Sequence, residues 1–188
     1  MSSTVDTVVK VGGAILPYPG ALDLAVRALE SVAARGDSIV VVPGGGPFAD
    51  AVRRVDHALS IAPDAAHWMA ILAMDQHAHL LASRIAAATL VEHPDEALDV
   101  LRRRELPVLA PYRWLRATDP LPHTWDVTSD SIAAWIAGRV HATRLVLVKP
   151  VAGEPAALVD AYFERALPSG VRVVISDAAG LTEALRST

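Results

Sequence analysis

The chain has 188 residues, 52% of them hydrophobic and 20% charged, with a net charge of −4 and no cysteine. That balance predicts one globular domain over residues 1–188 with a sizeable core, and it excludes disulfides and thiolate metal sites. It argues against a nucleic-acid surface, and with no export-type start and no apolar window of about 18 residues the expected location is the cytoplasm, with no membrane span.

Residues 5–11 are short, β-branched and followed by Gly12-Gly13, which predicts a buried strand. Pro17, Pro19 and Gly20 make a loop. Residues 21–34 carry Leu22, Ala25, Val26, Leu29 and Val32 at helical spacing, and Gly36 is a stop. A second buried strand over 38–42 runs into Pro43-Gly44-Gly45-Gly46. Helices are expected over about 48–59, 64–88 and 94–104, then a short strand over 107–110. Residues 119–128 read as a loop, and Thr128 or Ser129 caps a helix running to about 141. Residues 145–149 are a strongly apolar strand, followed by a helix over 158–166, a strand over 171–175 and a helix over 179–186. Alternating helices and continuously apolar strands predict an α/β fold whose mostly parallel sheet is covered on both faces.

Only two lysines are present, Lys10 and Lys149, against fifteen arginines, and each lysine closes a strand. Open α/β sheets place ligands at the carboxyl ends of strands, and an ammonium is a compact point charge for phosphate oxygens. Gly12 and Gly13 let backbone N–H groups come close to a phosphate. Gly44, Gly45 and Gly46 precede a helix, where free N–H groups and the helix dipole favour an anion. Neither cluster matches the Walker loop or the dinucleotide fingerprint, and each alone is also a plain turn.

The run His123-Thr124-Trp125-Asp126-Val127-Thr128-Ser129-Asp130-Ser131 joins a cap pattern to an acid in the first helical turn. It serves either as a cap or as a carboxylate that orients a lysine or binds magnesium. His67, Ile71, Asp75 and His79 share one helical stripe. That stripe is either a half-buried polar face with Asp75 paired to His79, or a substrate surface using His67 or Asp75. His77 and His79 point to different helix faces, which argues against a metal chelate. The four tryptophans read as core or interface, and Arg102-Arg103-Arg104 as a solvated helix end.

These blocks resemble the amino-acid kinase superfamily: Val-Val-Lys10-Val-Gly12-Gly13, then Pro43-Gly44-Gly45-Gly46-Pro-Phe-Ala-Asp, then Thr128-Ser129-Asp130-Ser131, in that order. His67-Trp68, Met74-Asp75 and the His123 to Ser131 run are most similar to the small kinases of methanofuran biosynthesis. The resemblance implies a three-layer α/β/α sandwich that uses ATP and Mg²⁺ on a small-molecule substrate, and a homo-oligomer. It implies that Lys10, Asp130 and Lys149 are catalytic, with Gly12, Gly13 and Lys149 on the nucleotide. Gly44, Gly45, Gly46, His67, Asp75, His123 and Ser129 would meet the acceptor, a phosphorylated aminomethylfuran or related one-carbon cofactor precursor. Family members usually carry Thr-Asp-Val-Asp-Gly after the later strand, whereas this chain has Lys149-Pro150-Val151-Ala152-Gly153. Lys149 is the candidate for the missing second catalytic lysine, and its partner is left open between phosphate, acceptor and a carboxylate such as Asp130. The altered segment and the histidine-rich helix also leave open a non-catalytic protein that binds a metabolite or a metal oxyanion.

Overall fold

The computed structural model describes residues 4–151 and 158–186. Its centre is a six-stranded sheet in which every paired neighbour is parallel. The strands are β1 (Thr7–Val11), β2 (Ile39–Pro43), β3 (Ala88–Val91), β4 (Leu106–Leu109), β5 (Arg144–Val148) and β6 (Arg172–Ser176), in the order β3-β4-β2-β1-β5-β6. The helices are α1 (Ala21–Arg35), α2 (Gly46–Leu59), α3 (Pro63–Arg84), α4 (Pro94–Arg102), α5 (Tyr112–Thr118), α6 (Ser129–Arg139), α7 (Phe163–Ala166) and α8 (Leu181–Ala184). This is the α/β architecture the sequence predicts, with helices on both faces of a parallel sheet. No helix among the described residues is long and apolar enough to cross a membrane.

The two cores follow from strand alternation. Successive side chains on a strand point to opposite faces, so a strand buried on both faces must be apolar throughout. Val8, Val40, Val42, Leu145 and Leu147 pack with Ile71, Met74, Ile132 and Ile136 on one face. Val9, Val11, Val41, Val146 and Val148 pack with Leu29, Val32, Leu81 and Leu181 on the other. Each such side chain contributes about 1.5–3 kcal/mol on full burial. The central strand β1 is buried at all five positions, yet one of them is Lys10. Lys10 shares its face with Val8 and stands opposite Val42 and Leu147, so it points toward the layer that holds α6.

Several boundaries differ from those expected. The long helix ends at Arg84, because Ile85 turns extended with φ −100 and ψ 115. Ala88, the last residue of the expected helix, instead opens the unanticipated strand β3, which pairs with β4 from Ala88↔Leu106 to Val91↔Leu109. The α5 helix was not anticipated; the Tyr112 N–H at its start donates to Asp75, 37 residues away and so without a local signal. The helix expected over 158–166 is confined to Phe163–Ala166, because Asp160 turns its carboxylate back onto α6. The last helix is likewise shorter, Leu181–Ala184. Ala152 and Gly153, part of the departure noted above, lie outside the described residues.

Candidate active site

Lys10, Asp130 and Lys149 meet at the carboxyl end of the sheet. Lys10 comes from β1, Lys149 follows β5, and Asp130 is the second residue of α6. Lys10 Nζ donates to Asp130 Oδ1 at 2.9 Å and Lys149 Nζ to Asp130 Oδ2 at 2.5 Å. Both lysines of the chain therefore share one carboxylate. Of the partners left open for Lys149, the carboxylate of Asp130 is the one it meets in this structure. Lys10 is 4% exposed and Asp130 4% exposed, which makes this a desolvated cluster with an excess of one positive charge. Burial alone would raise the Asp130 carboxyl, but the charges and hydrogen bonds of Lys10 and Lys149 outweigh it and hold it below its ordinary value. Burial draws the Lys10 ammonium below its ordinary value against the pull of Asp130, and the Lys149 charge acts in the same direction as burial.

Beside the ammoniums, two glycine segments are pressed together. Gly12 N–H donates to Val148 O at 3.0 Å and Gly44 N–H to Val11 O at 2.7 Å, so each segment is tied to a strand end. A methyl on Gly13 would stand 2.3 Å from Gly46 Cα, and one on Gly46 would stand 2.6 Å from Gly13 Cα. Gly46 also has φ +52, a left-handed conformation that disfavours any side chain. No other residue fits this apposition. Gly13→Ala is expected to push the two segments apart and abolish ligand binding at the cradle while the cores survive. Calorimetric titration with pyrophosphate and near-ultraviolet dichroism of the same sample check this, and unaltered binding would contradict it.

The cradle opens into a cavity of about 810 Å³. Its polar end is formed by Lys10, Lys149, Asp130 and the glycines, and its walls include Ile71, Met74, Val127 and Ile132. His67, His123 and Ser129 line it as well. Gly44 does not line it, although Gly45 and Gly46 do. Asp75 is the clear correction. It is not among the lining residues, and its Oδ1 accepts the Tyr112 N–H at 3.0 Å at the start of α5. Its link to His79 is charge attraction at a distance rather than a hydrogen bond, and its role in this structure is to anchor a helix end.

His123 ties the 119–128 loop to the rest of the site. Its Nδ1 lies 2.7 Å from Asp64 Oδ1 and its Nε2 2.8 Å from Asp119 Oδ1. Carboxylates on both nitrogens require both to donate, which is the protonated ring. Burial would lower the His123 pKa, but the bonds to Asp64 and Asp119 raise it above the ordinary value. The ring stacks on His67 with centroids 4.0 Å apart. Parallel stacking keeps the nitrogen lone pairs of the two rings from converging, so the pair with Asp119 is a poor cation cage despite its proximity.

Residues 7–153 match the amino acid kinase family. The chain belongs to that family. A [5-(aminomethyl)furan-3-yl]methyl phosphate kinase from Methanocaldococcus jannaschii is 31% identical to this amino acid kinase family member over 150 residues, 78% of this chain. The match covers 66% of that relative, slightly less than two thirds of its length. The uridylate kinase of Archaeoglobus fulgidus superposes with a TM-score of 0.73, at 17% identity, over 97% of this chain and 96% of that one. The UMP kinase of Ureaplasma parvum gives a TM-score of 0.57 at 15% identity, over 81% of this chain and 70% of that one. At these identities the two structures speak for the fold.

Two residues of this family member escaped the sequence reading. Asp160, from the segment after β5, accepts Thr128 N–H at 2.9 Å, Thr128 Oγ1–H at 2.6 Å and Ser131 N–H at 3.1 Å, and it also holds the Ser131 hydroxyl. It thus caps α6 and fixes the turn that carries Asp130. Its partners lie 29 to 32 residues away, beyond any local signal. The second is His77, which is fully buried, with Nδ1 2.6 Å from Gly44 O.

The fully buried His77 and the half-buried His67 make stability depend on acid. Burial pushes His67 down to about 4, helped by the His123 charge, and burial pushes His77 down to about 4 despite its Gly44 bond. Between about 4 and 6.5 the unfolded chain binds these protons and the folded chain does not, so stability falls as pH drops through that window. Asp75 acts the other way: burial raises it to about 6, against the Tyr112 bond, so below 6 it regains stability on acidification. Two histidines against one aspartate leave a net loss. His123, raised, is already charged in this window. Denaturant titrations from pH 8 to pH 5 are expected to show stability falling below about 6.5, with most of the loss carried by His77, because solvent screens the half-buried His67 and Asp75. A flat profile would contradict the burial of the His77 ring.

Proposed function

We propose that the chain is a kinase that transfers the γ-phosphoryl group of ATP to a small phosphorylated acceptor. The observation that carries this reading is the convergence of Lys10 and Lys149 on Asp130, beside two apposed glycine segments in which the Gly13, Gly45 and Gly46 N–H groups have no backbone acceptor among the described residues. Gly12 and Gly13 take the nucleotide phosphates, and the acceptor lies over Gly44–Gly46 in the cavity. An acceptor oxygen forms a bond to the γ-phosphorus, the bond from that phosphorus to the β-bridging oxygen breaks, and ADP leaves. Charge develops on the transferring oxygens, and positioned ammoniums stabilise it without reorganising. Asp130 holds both ammoniums aimed at that position.

The acceptor class we assign is [5-(aminomethyl)furan-3-yl]methyl phosphate or a related one-carbon cofactor precursor, which would become a diphosphate. The 31% identity to the kinase named for that phosphate supports it, and so does a cavity with a cationic end and apolar walls that suit a flat ring. Mg²⁺ supplies neutralising charge on phosphate oxygens when bound. The Asp130 oxygens already face ammoniums, so the protein offers it no free carboxylate at this point, and it would arrive on the nucleotide. Incubation with ATP, Mg²⁺ and this acceptor, followed by ³¹P NMR, is expected to show ADP and a new diphosphate pair. Binding of both compounds without any ADP would favour a non-catalytic metabolite-binding protein.

A further inference from the structure

The sequence reading gave weight to the His67, Asp75 and His79 stripe, and His77 sat outside it. In the structure His77 is 0% exposed and reaches from the middle of α3 to the first glycine of the cradle. A carbonyl oxygen only accepts, so the Nδ1 at 2.6 Å from Gly44 O carries the proton and donates. The ring is then neutral with its lone pair on Nε2, and Nε2 has no partner among the described residues. A buried acceptor left unpaired costs desolvation, and such a group calls for an explanation beyond packing. A hydrocarbon side chain would fill the same space without that cost.

The explanation lies in the peptide that His77 grips. The Gly44–Gly45 peptide is planar and trans, so its C=O and its N–H point in opposite directions. Holding Gly44 O against α3 turns the Gly45 N–H away from α3. Gly45 lines the cavity and Gly44 does not. The Gly45 N–H has no backbone acceptor among the described residues. Glycine has no side chain to hold this plane, so without the ring the peptide is free to flip and present its carbonyl to the anion. Nor could a side chain at Gly44 take over that task, since a Cβ there would lie 3.1 Å from Lys10 Cε and 3.2 Å from its Nζ.

We propose that His77 is a positioning residue that fixes the Gly44–Gly45 peptide plane so that the Gly45 N–H donates to a phosphate oxygen of the ligand. This rests on the reading that phosphate occupies the glycine cradle. Burial keeps the ring neutral, and the Gly44 carbonyl, which can only accept, selects the Nδ1–H tautomer.

The test uses inorganic pyrophosphate as the probe, titrated calorimetrically into wild type, His77→Leu, His77→Asn and His77→Gln, with thermal denaturation of each. His77→Leu is expected to weaken pyrophosphate binding at least tenfold while its melting temperature stays level or rises. A merely structural histidine would lower the melting temperature and leave the affinity of the folded fraction unchanged, and that result overturns the proposal. Asn places an amide N–H near the Nδ1 position and is expected to restore affinity to within about threefold of wild type; Gln places its amide near Nε2 and is not. If the Leu protein does not fold, equal affinities in the Asn and Gln proteins overturn the proposal. Wild type that does not bind pyrophosphate rejects the cradle reading itself, and this inference with it.

Discussion

Lys10→Met is expected to lose about a thousandfold in turnover and to remain folded. Lys10 is 4% exposed at the end of the central strand, where β1 faces α6. A donor preset for developing charge in a desolvated site accounts for roughly 10²–10³ in rate when a single such group is removed. Methionine keeps most of the unbranched stem and removes only the charge. The folded state tolerates this because Asp130 keeps Lys149 on its other oxygen. The stability cost is therefore about 1–3 kcal/mol, that of a lost buried hydrogen bond rather than of a stranded ion. Lys10→Arg is not a rescue, because a planar fork does not occupy the place of a compact ammonium. ADP formation in purified protein, with denaturant titration of the same sample, separates the two effects. Turnover within tenfold of wild type in folded Lys10→Met protein would remove Lys10 from the chemistry.

Asp130→Asn is expected to have the largest effect on stability. It leaves two ammoniums beside one another with no carboxylate between them, 2.9 and 2.5 Å from the atoms that Asn would replace with a neutral amide. Breaking a buried ion pair by removing one partner costs about 3–5 kcal/mol. The same vacated position suits an added anion, and ligand that binds only the folded state stabilises it in proportion to its concentration over Kd. Thermal denaturation in phosphate-free buffer should therefore show a low melting temperature that pyrophosphate raises more in the variant than in wild type. An Asp130→Asn protein as stable as wild type without added anion would mean that the two lysines do not depend on this carboxylate.

The sheet was legible because strand burial is local information. Val-Val-Lys-Val and Leu-Val-Leu-Val are continuous apolar runs, and runs of that kind lie in covered parallel sheets. The two lysines stood out for the same reason, since each interrupts or ends such a run. Their meeting on Asp130 is 120 and 19 residues apart in sequence, so only the residue types were legible, together with the family resemblance. The strand over 88–91 was missed because Ala88-Thr-Leu-Val is only four residues long and has no turn residue before it; pairing with β4 decided its state. Asp75 shows the limit of helical spacing. Its stripe with His67 and His79 is real geometry on α3, but the helix also passes under α5, and Asp75 lies where it faces Tyr112 rather than the cavity. His77 and Asp160 were missed for a shared reason: each acts on a backbone group of a distant segment, and backbone groups leave no mark in the sequence.

The most direct test of the two-lysine site is calorimetric titration of ATP with Mg²⁺ into wild type and Lys10→Met. The expected result is saturable binding to wild type, weakened at least tenfold in the variant. A well-folded wild type that takes up no heat with MgATP would contradict a kinase site built on Lys10, Lys149 and Asp130.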